Sequence, residues 1–213
     1  MHHYKLLVLD VDGVLTKTSS IWQYLHTLFG TKEKAVSTAE AFKQGRITYE
    51  DWARLDAALW KGRKLDELQK ALHDIEIREG ARELIILAKK KGLYTLAISA
   101  GLGFITNEVV EELGIDHQMS NELEIINNTL TGRVFIRVTY SNKGDLLADF
   151  CNRFSIKLSE TIVIGDNEVD IPMLRLAGLA IAFNPLSPLV ITSSHLTVES
   201  STLFPILHIF EKL

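Results

Sequence analysis

The sequence has little of what marks secreted, membrane-spanning or nucleic-acid-binding proteins. A single cysteine, Cys151, excludes an internal disulfide framework and is typical of a reducing compartment. No run of about 18 apolar residues occurs, which argues against a helix that spans a membrane. The 27 acidic residues outnumber the 23 basic ones, and the net charge of −4 argues against a general nucleic-acid binder.

Targeting signals and low-complexity tracts are also missing. The start of the chain lacks the charged, apolar and cleavage regions of a signal peptide. The seven histidines include no pair at a metal-ligand spacing. There is no internal repeat or linker. We therefore expect a cytoplasmic monomer or homodimer with no nucleic-acid or membrane partner.

What is present is the composition of an ordinary globular protein. Apolar residues make up 46% of the 213 positions and charged residues 23%. This length corresponds to one or two domains, and it allows the chain to bury a core without disulfides.

Apolar runs alternate with helical patterns along most of the chain. Four apolar runs predict strands that are buried on both faces, at Lys5–Leu9, Tyr94–Ser99, Thr161–Gly165 and Leu179–Phe183. The helical patterns between them cover Glu79–Lys91, Phe104–Leu113, Lys143–Phe154 and Ile171–Ala177. This alternation predicts an α/β fold with a mainly parallel, Rossmann-like sheet.

Two segments interrupt the alternation. From about Thr18 to Asp74 helical patterns dominate, which predicts a small helical module inserted after the first strand. Its helices are predicted at Ser20–Phe29, Lys32–Lys43 and Tyr49–Trp60, with Thr31 and Thr48 as N-caps. The other segment has Asn127-Asn128 between the apolar runs Leu123–Ile126 and Thr131–Val138, and it predicts a β-hairpin.

Three tryptophans lie in the helical insert. We expect Trp22, Trp52 and Trp60 to pack this module, and at most one of them to line a pocket.

Two pairs of aspartates follow predicted strands. Asp10 and Asp12 come directly after the first strand, and Asp166 and Asp170 follow a later one. Because the carboxyl ends of parallel strands meet at one edge of a sheet, we expect the four carboxylates to converge. Four carboxylates cannot stay ionised together without a cation. Hard oxygen ligands with few histidines favour Mg²⁺.

Each candidate residue also has a purely structural interpretation. Asp10 and Asp12 could form a polar turn, and Asp170 could cap the following helix. Ser99 opens a helix whose free amides suit a phosphate, but a Ser–Gly turn explains it equally well. An isolated lysine such as Lys143 usually lies on the surface, although a cation near a helix N-terminus is unfavourable.

Taken in order, these residues resemble the motifs of a known family. Asp10–Thr16, Ser99, Lys143 and Gly165–Asp170 are similar to the four motifs of the haloacid dehalogenase (HAD) superfamily, and the resemblance extends over nearly the whole chain. It is closest to the phosphoserine-phosphatase-like branch, whose helical cap also follows the first motif. Gly45–Glu50 resembles a segment of that cap.

The resemblance implies a domain division. Residues 1–16 and 76–213 would form the Rossmann-like core, and residues 17–75 would form the cap.

The resemblance also implies catalytic roles. Asp10 would be the nucleophile that forms an aspartyl-phosphate. Asp12 would protonate the leaving alcohol and then activate water. Ser99, with backbone amides near Ala100, would hold a phosphoryl oxygen, and Lys143 would neutralise negative charge on Asp10 and the phosphate.

The implied cofactor is Mg²⁺. Its ligands would be the Asp10 carboxylate, the backbone carbonyl of Asp12, and Asp166. Asp170 would orient a water on the metal or the ammonium of Lys143.

Some positions depart from the family pattern. Ala100 replaces a glycine of the second motif, and Val169 replaces an asparagine of the last one. In phosphoserine phosphatases a Glu and an Arg bind the serine moiety, and the matching positions here are Ser19 and Asp56. Arg54 is close in sequence but would point elsewhere on a helix. These three cap residues are the predicted specificity positions, and phosphoserine is predicted to be a poor substrate.

The leading interpretation is a Mg²⁺-dependent phosphomonoesterase that acts on a small phosphorylated metabolite. The aspartate at position 12 disfavours dehalogenation, because HAD dehalogenases lack both this residue and the metal. Two alternatives stay open at this point. One is a phosphotransferase or mutase with the same chemistry, and the other is a non-catalytic HAD-like binding protein.

Overall fold

A seven-stranded sheet forms the centre of the computed structural model, which describes residues 4–213 apart from the side chain of Ala71. The strands are β1 Leu6–Leu9, β2 Tyr94–Leu102, β3 His117–Ile126, β4 Thr129–Phe135, β5 Thr161–Gly165, β6 Leu179–Phe183 and β7 Leu196–Val198. Their order across the sheet is β4-β3-β2-β1-β5-β6-β7. Only the β3–β4 pair among these is antiparallel, so the predicted α/β fold is confirmed.

Helices flank the sheet and fill the segment between β1 and β2. Their bounds are α1 Ile21–Leu28, α2 Lys32–Lys43, α3 Tyr49–Ala58, α4 Leu65–Leu72, α5 Ala81–Lys90, α6 Gly103–Leu113, α7 Lys143–Arg153, α8 Ile171–Leu174, α9 Pro188–Thr192 and α10 Phe204–Glu211. Of the described helices, none is both long and apolar enough to cross a membrane.

The central strand β1 brings the functional segments together. Its side chains alternate between two apolar cores, with Leu7 and Leu9 in one and Leu6 and Val8 in the other. In the parallel register Leu9 pairs with Ala97 of β2 and Ile164 of β5. The residues that follow these three strands therefore lie side by side at the carboxyl edge of the sheet.

The hairpin forms where it was predicted, with a shifted second strand. Asn127 and Asn128 both have positive φ, of 51° and 56°, as a two-residue type I′ turn requires. The strand β4 ends at Phe135, although the sequence predicts it to reach Val138. The reason is Asn121, whose Oδ1 accepts the backbone N–H groups of Arg137 and Val138 at 2.8 and 2.9 Å.

Several short elements were not predicted. They are the helices α4, α9 and α10 and the edge strand β7. Each spans only three to eight residues, which is too short to show a clear hydrophobic periodicity in the sequence. The predicted N-cap Thr48 is confirmed, since its Oγ1 accepts the N–H of Asp51 at 3.1 Å. Thr31 occupies the predicted N-cap position of α2, but its hydroxyl makes no cap hydrogen bond and instead contacts the His26 ring.

The chain enters the helical insert near Thr16 and leaves it near Ile77, and these two connecting segments lie side by side. Thr16 and Ile77 form an antiparallel bridge, and Arg78 N–H donates to the Leu15 carbonyl at 2.7 Å. The β3–β4 hairpin also reaches the insert, because Leu130 exchanges backbone hydrogen bonds with Gly62 and Arg63. The division into a core at 1–16 and 76–213 and a cap at 17–75 stays a prediction.

Candidate active site

The loop after β1 presents two carboxylates. Asp10 is buried, and its Oδ1 accepts the N–H of Val11 at 2.8 Å. Gly13 has φ +80°, and a Cβ at this position would collide with the carboxylate of Asp166. Glycine is therefore required both for the left-handed conformation and for the close approach of the two loops.

Arg78 holds this loop in place from the segment that leads back from the helical insert to the sheet, next to Ile77. Its guanidinium donates to the carbonyls of Gly13, Val14 and Thr16 at 2.8, 3.0 and 3.3 Å. The guanidinium carbon also lies 5.0 Å from the Phe183 ring centroid, a cation–π distance. Sequence reasoning missed Arg78, because no local pattern distinguishes it from a surface arginine.

Lys143 is fully buried at the start of α7. Its Nζ donates to Asp10 Oδ1 at 2.9 Å and to Asp170 Oδ1 at 2.6 Å. Burial alone would lower the pKa of Lys143, but the two carboxylates outweigh burial and hold its pKa above the usual value. The interpretation of Lys143 as a surface residue is therefore wrong.

Asp170 organises the loop after β5. Its Oδ2 accepts the N–H groups of Asp166 and Asn167 at 2.9 and 3.1 Å, while Oδ1 contacts Lys143. Asp170 occupies the N-cap position of α8, as the sequence allows, but its side chain makes no cap hydrogen bond to that helix. Instead it ties the Asp166 loop to the lysine.

The structure brings three of the four predicted metal carboxylates together. Asp10, Asp166 and Asp170 place carboxylate oxygens within 4.8 Å of one another, and all three are buried. Burial and the charge of Asp170 raise the pKa of Asp10 to about 7. Burial and the charges of Asp10 and Asp170 raise the pKa of Asp166 to about 9. Burial, with a contribution from the neighbouring carboxylates, thus disfavours the ionised forms despite Lys143, and a divalent cation with oxygen ligands fits the group.

Asp12 points in a different direction. Its Oδ2 accepts the N–H of Ile21 at 2.8 Å, at the start of α1 in the helical insert. Burial raises the pKa of Asp12 to about 6, although the Ile21 N–H opposes the shift. The Asp12 side chain is outside the three-carboxylate group, so a metal role for this residue rests on its backbone carbonyl.

Ser99 is a buried residue in the carboxyl-terminal half of β2. Ser99 Oγ accepts the N–H of Gly101 at 2.9 Å. A Cβ on Gly101 would lie 2.9 Å from Ser99 Oγ and 3.2 Å from Asp12 Oδ2, so this position has no room for a side chain. The structure therefore contains the Ser–Gly turn that the sequence allowed, and it also places the Ser99 hydroxyl close to the Asp12 carboxylate.

The carbonyl of Ala100 joins the sheet to the helical insert. It accepts hydrogen bonds from Tyr49 Oη at 2.8 Å, Trp22 Nε1 at 3.1 Å and Asn121 Nδ2 at 3.0 Å. Sequence reasoning missed these three donors. A buried asparagine within a strand was the available signal for Asn121, whereas nothing local indicated that Tyr49 and Trp22 reach β2.

A cavity of about 390 Å³ opens over these groups. Asp10, Asp12, Ser99, Ala100 and Asp166 line its inner end. Its outer wall includes Ser19 and both Trp22 and Trp52. The prediction that at most one tryptophan lines a pocket is therefore wrong, because α1 and α3 both turn an indole to the cavity.

The other two predicted cap residues do not line this cavity. Arg54 is exposed and lies 3.6 Å from Asp51 in an ion pair. Asp56 is 1% exposed, and its carboxylate contacts His26 Nε2 at 2.9 Å and accepts the Thr38 hydroxyl at 2.7 Å. The structure brings Ser19 to the cavity, whereas Asp56 is buried in the insert and lines a neighbouring cavity of about 550 Å³. The two cavities share Ser19, Trp22 and Trp52 in their linings.

The fold and this arrangement of carboxylates and lysine are those of an α/β phosphatase. Residues 7–175 match the family described as haloacid dehalogenase-like hydrolase. The chain belongs to this family, as its four motifs predict.

Relatives and a solved structure agree with the family match. The phosphoserine phosphatase of Albidiferax ferrireducens is 30% identical over 98% of this chain and 90% of that protein. The phosphoserine phosphatase of Streptomyces coelicolor is 31% identical over 96% of this chain. A structure described as a phospho-aspartyl intermediate analogue of phosphoserine phosphatase has a TM-score of 0.85 at 28% identity, and the match covers 97% of this chain and 98% of that one.

The relatives differ in length. The chain spans 50% of the Streptomyces protein but 90% of the Albidiferax one. The shared part in both cases includes the sheet and its helical insert.

Proposed function

We propose that this chain is a Mg²⁺-dependent phosphomonoesterase that hydrolyses a small phosphorylated metabolite through an aspartyl-phosphate on Asp10. The observation that carries the proposal is the Asp10 carboxylate, which lies at the end of the central strand, in the cavity, with Lys143 Nζ 2.9 Å away. The phosphoserine phosphatases among its relatives support the same reaction class.

Asp10 is the proposed nucleophile. Val11 N–H and Lys143 both donate to its Oδ1, which holds the carboxylate in one orientation and leaves Oδ2 for attack. Oδ2 forms a bond to phosphorus as the bond from phosphorus to the alcohol oxygen breaks. Lys143 opposes the rise that burial causes in the pKa of Asp10, and it neutralises negative charge in the transition state.

Asp12 is the proposed general acid and base. Its pKa of about 6 lies near neutral pH, where a carboxyl can both give and take a proton. It donates a proton to the departing alcohol oxygen in the first step. In the second step it takes a proton from the water that attacks the aspartyl-phosphate.

The carboxylates of Asp10 and Asp166 and the backbone carbonyl of Asp12 are the proposed ligands of Mg²⁺. The cation would supply charge neutralisation to the phosphoryl group during transfer. Asp170 positions Lys143 and the Asp166 loop through the hydrogen bonds described above. Ser99 Oγ and the amides near Ala100 hold a phosphoryl oxygen.

The helical segment 17–75 is the cap in this proposal, and residues 1–16 with 76–213 are the catalytic core. The outer wall of the cavity comes largely from α1, α2 and α3, so the alcohol part of the substrate is selected there. Because a closed cap excludes bulk water, it also favours orderly transfer of the phosphoryl group.

Phosphate release from p-nitrophenyl phosphate, measured with EDTA and after Mg²⁺ is restored, tests the proposal. We expect no release in EDTA and turnover with Mg²⁺. Full turnover in EDTA would refute the metal assignment, and no turnover of any monoester with Mg²⁺ would favour a binding protein. Product analysis with alcohols present separates hydrolysis from transfer to another acceptor.

A further inference from the structure

Five aromatic side chains line the cavity beyond its charged inner end. They are Trp22 of α1, Phe42 of α2, Tyr49 and Trp52 of α3, and Tyr140 of the loop after β4. We refer to these five residues as the aromatic wall.

The aromatic wall begins next to the phosphate end of the cavity. Tyr49 Oη and Trp22 Nε1 both donate to the Ala100 carbonyl, one residue after Ser99. Asp12, the proposed proton donor, is held by the N–H of Ile21, one residue before Trp22. The alcohol part of a bound monoester would therefore meet the rings directly after its ester oxygen.

The rings pack against one another around Trp52. Its ring centroid lies 5.0 Å from Trp22 and 5.4 Å from Tyr49, each at an interplanar angle of 50°. Phe42 lies 5.9 Å from Trp52, and Tyr140 lies 5.6 Å from Phe42 at 72°. The cluster thus forms one continuous aromatic side of the cavity, and aromatic faces are the groups that bind quaternary ammonium ions.

The polar groups of the outer cavity fit a cation that has no N–H donors. Ser19, Ser20 and Gln23 are its neutral polar residues, and its carboxylates are at the inner end. A primary ammonium would need an acceptor for each of its three N–H groups, whereas a methylated ammonium needs only ring faces and apolar contact. Lys43, the charged residue of the outer cavity among the described lining, is exposed, and solvent screens its charge.

We propose that the aromatic wall binds a methylated ammonium group on the alcohol part of the substrate. The chain would then act on phosphate monoesters of choline-like alcohols. This inference rests on the proposed phosphomonoesterase function and specifies its substrate class.

Two esters of equal shape and different charge test the inference. Phosphocholine and 3,3-dimethylbutyl phosphate differ in that a neutral carbon replaces the quaternary nitrogen. We expect kcat/KM for phosphocholine to exceed that for the neutral ester at least about tenfold, which corresponds to about 1.4 kcal/mol. Equal or better turnover of the neutral ester would show a merely apolar wall and overturn the inference.

Variants of the wall assign the preference to the rings. Trp52→Leu and Phe42→Leu should reduce the phosphocholine preference at least about threefold, and Trp52→Phe should keep most of it. The ratio of the two kcat/KM values does not depend on how much protein is folded. Tyr94→Leu, an aromatic change on exposed β2 surface, is the matched control and should leave the ratio unchanged. An unchanged ratio in both leucine variants of the wall would contradict the inference.

Two further outcomes separate the inference from the function it rests on. If p-nitrophenyl phosphate is not hydrolysed with Mg²⁺, the proposed function fails, and quenching of tryptophan fluorescence by choline against 3,3-dimethylbutanol then tests the wall alone. Equal quenching by the two alcohols would overturn the inference. A preference for a carboxylated ester that disappears in Lys43→Met would also overturn it, because the occupant would then be anionic.

Discussion

The inner and outer ends of the cavity differ in charge, burial and pairing. At the inner end, Lys143 contacts two carboxylates, and Asp170 accepts two backbone N–H groups in addition. The outer end is aromatic and, apart from the exposed Lys43, carries neutral side chains. The buried indole N–H of Trp52 has no partner among the described residues. The inner groups are fixed by their mutual contacts. The outer wall still has ring faces and the Trp52 N–H available to contact a ligand.

This difference predicts that changes at the inner end abolish activity, whereas changes at the outer end alter substrate preference. Removal of one inner group breaks the ion pairs and hydrogen bonds that hold the others in place, which affects every substrate alike. A change in the outer wall alters only contacts with the alcohol part, and therefore the ranking of substrates.

The largest expected effect is that of Asp10→Asn. The substitution keeps the shape of the side chain but removes the attacking charge, so kcat for p-nitrophenyl phosphate should fall at least about 10³-fold. The circular dichroism spectrum should be unchanged, since Lys143 retains Asp170. Activity of the variant within tenfold of the parent would contradict a nucleophilic role for Asp10.

The inner end was largely predictable from the sequence. Asp10, Asp12, Asp166, Ser99 and Lys143 follow strands or begin helices at one sheet edge, and topology alone brings such positions together. The strands β1, β2, β5 and β6 were equally visible because they are continuous apolar runs.

The outer end was not predictable in the same way. Asp56 and Arg54 lie two residues apart on α3, and only the packing of α1, α2 and α3 decides that neither reaches the cavity. The contact of Tyr49 and Trp22 with Ala100 joins residues 51 and 78 positions apart. No local pattern specifies such tertiary hydrogen bonds.

A second prediction concerns phosphoserine. We expect its kcat/KM to be at least about 100-fold below that of the best ester in a panel of phosphate monoesters. Its carboxylate would face rings and neutral side chains, since Lys43, the cation among the lining residues, is exposed and its charge is screened by solvent. If phosphoserine ranks first, the outer wall does not have the role described here.

The third prediction probes the metal group. Asp166→Ala should raise the Mg²⁺ concentration for half-maximal activity at least about tenfold, because a hard cation loses an anionic oxygen ligand. Asp170→Ala should act in the same direction with a smaller effect. Glu168→Ala, an acidic residue of the same loop outside the carboxylate group, is the matched control. Equal Mg²⁺ requirements in Asp166→Ala and Glu168→Ala would argue against the proposed ligand.

The fourth prediction is that Mg²⁺ binds more tightly as the pH rises from 6 to 8. The raised pKa values of Asp10 and Asp166 mean that the metal-free site binds protons in this range, and the cation must displace them. Each displaced proton makes the affinity rise about tenfold per pH unit. Calorimetry in buffers of different ionisation enthalpy measures the proton release directly. Affinity independent of pH would mean that both carboxylates are ionised without metal.

The smallest effect on turnover is expected at Asp56 and Arg54. Asp56→Ala removes the partner of His26 and Thr38 in a buried network, so the free energy of unfolding should fall by about 2–4 kcal/mol. Activity per folded molecule, and the ranking of substrates, should stay within about twofold of the parent, since Asp56 does not line the 390 Å³ cavity. Arg54→Ala, which breaks only an exposed ion pair, should change neither quantity. An Asp56→Ala variant of unchanged stability and altered substrate ranking would instead assign Asp56 to the outer wall.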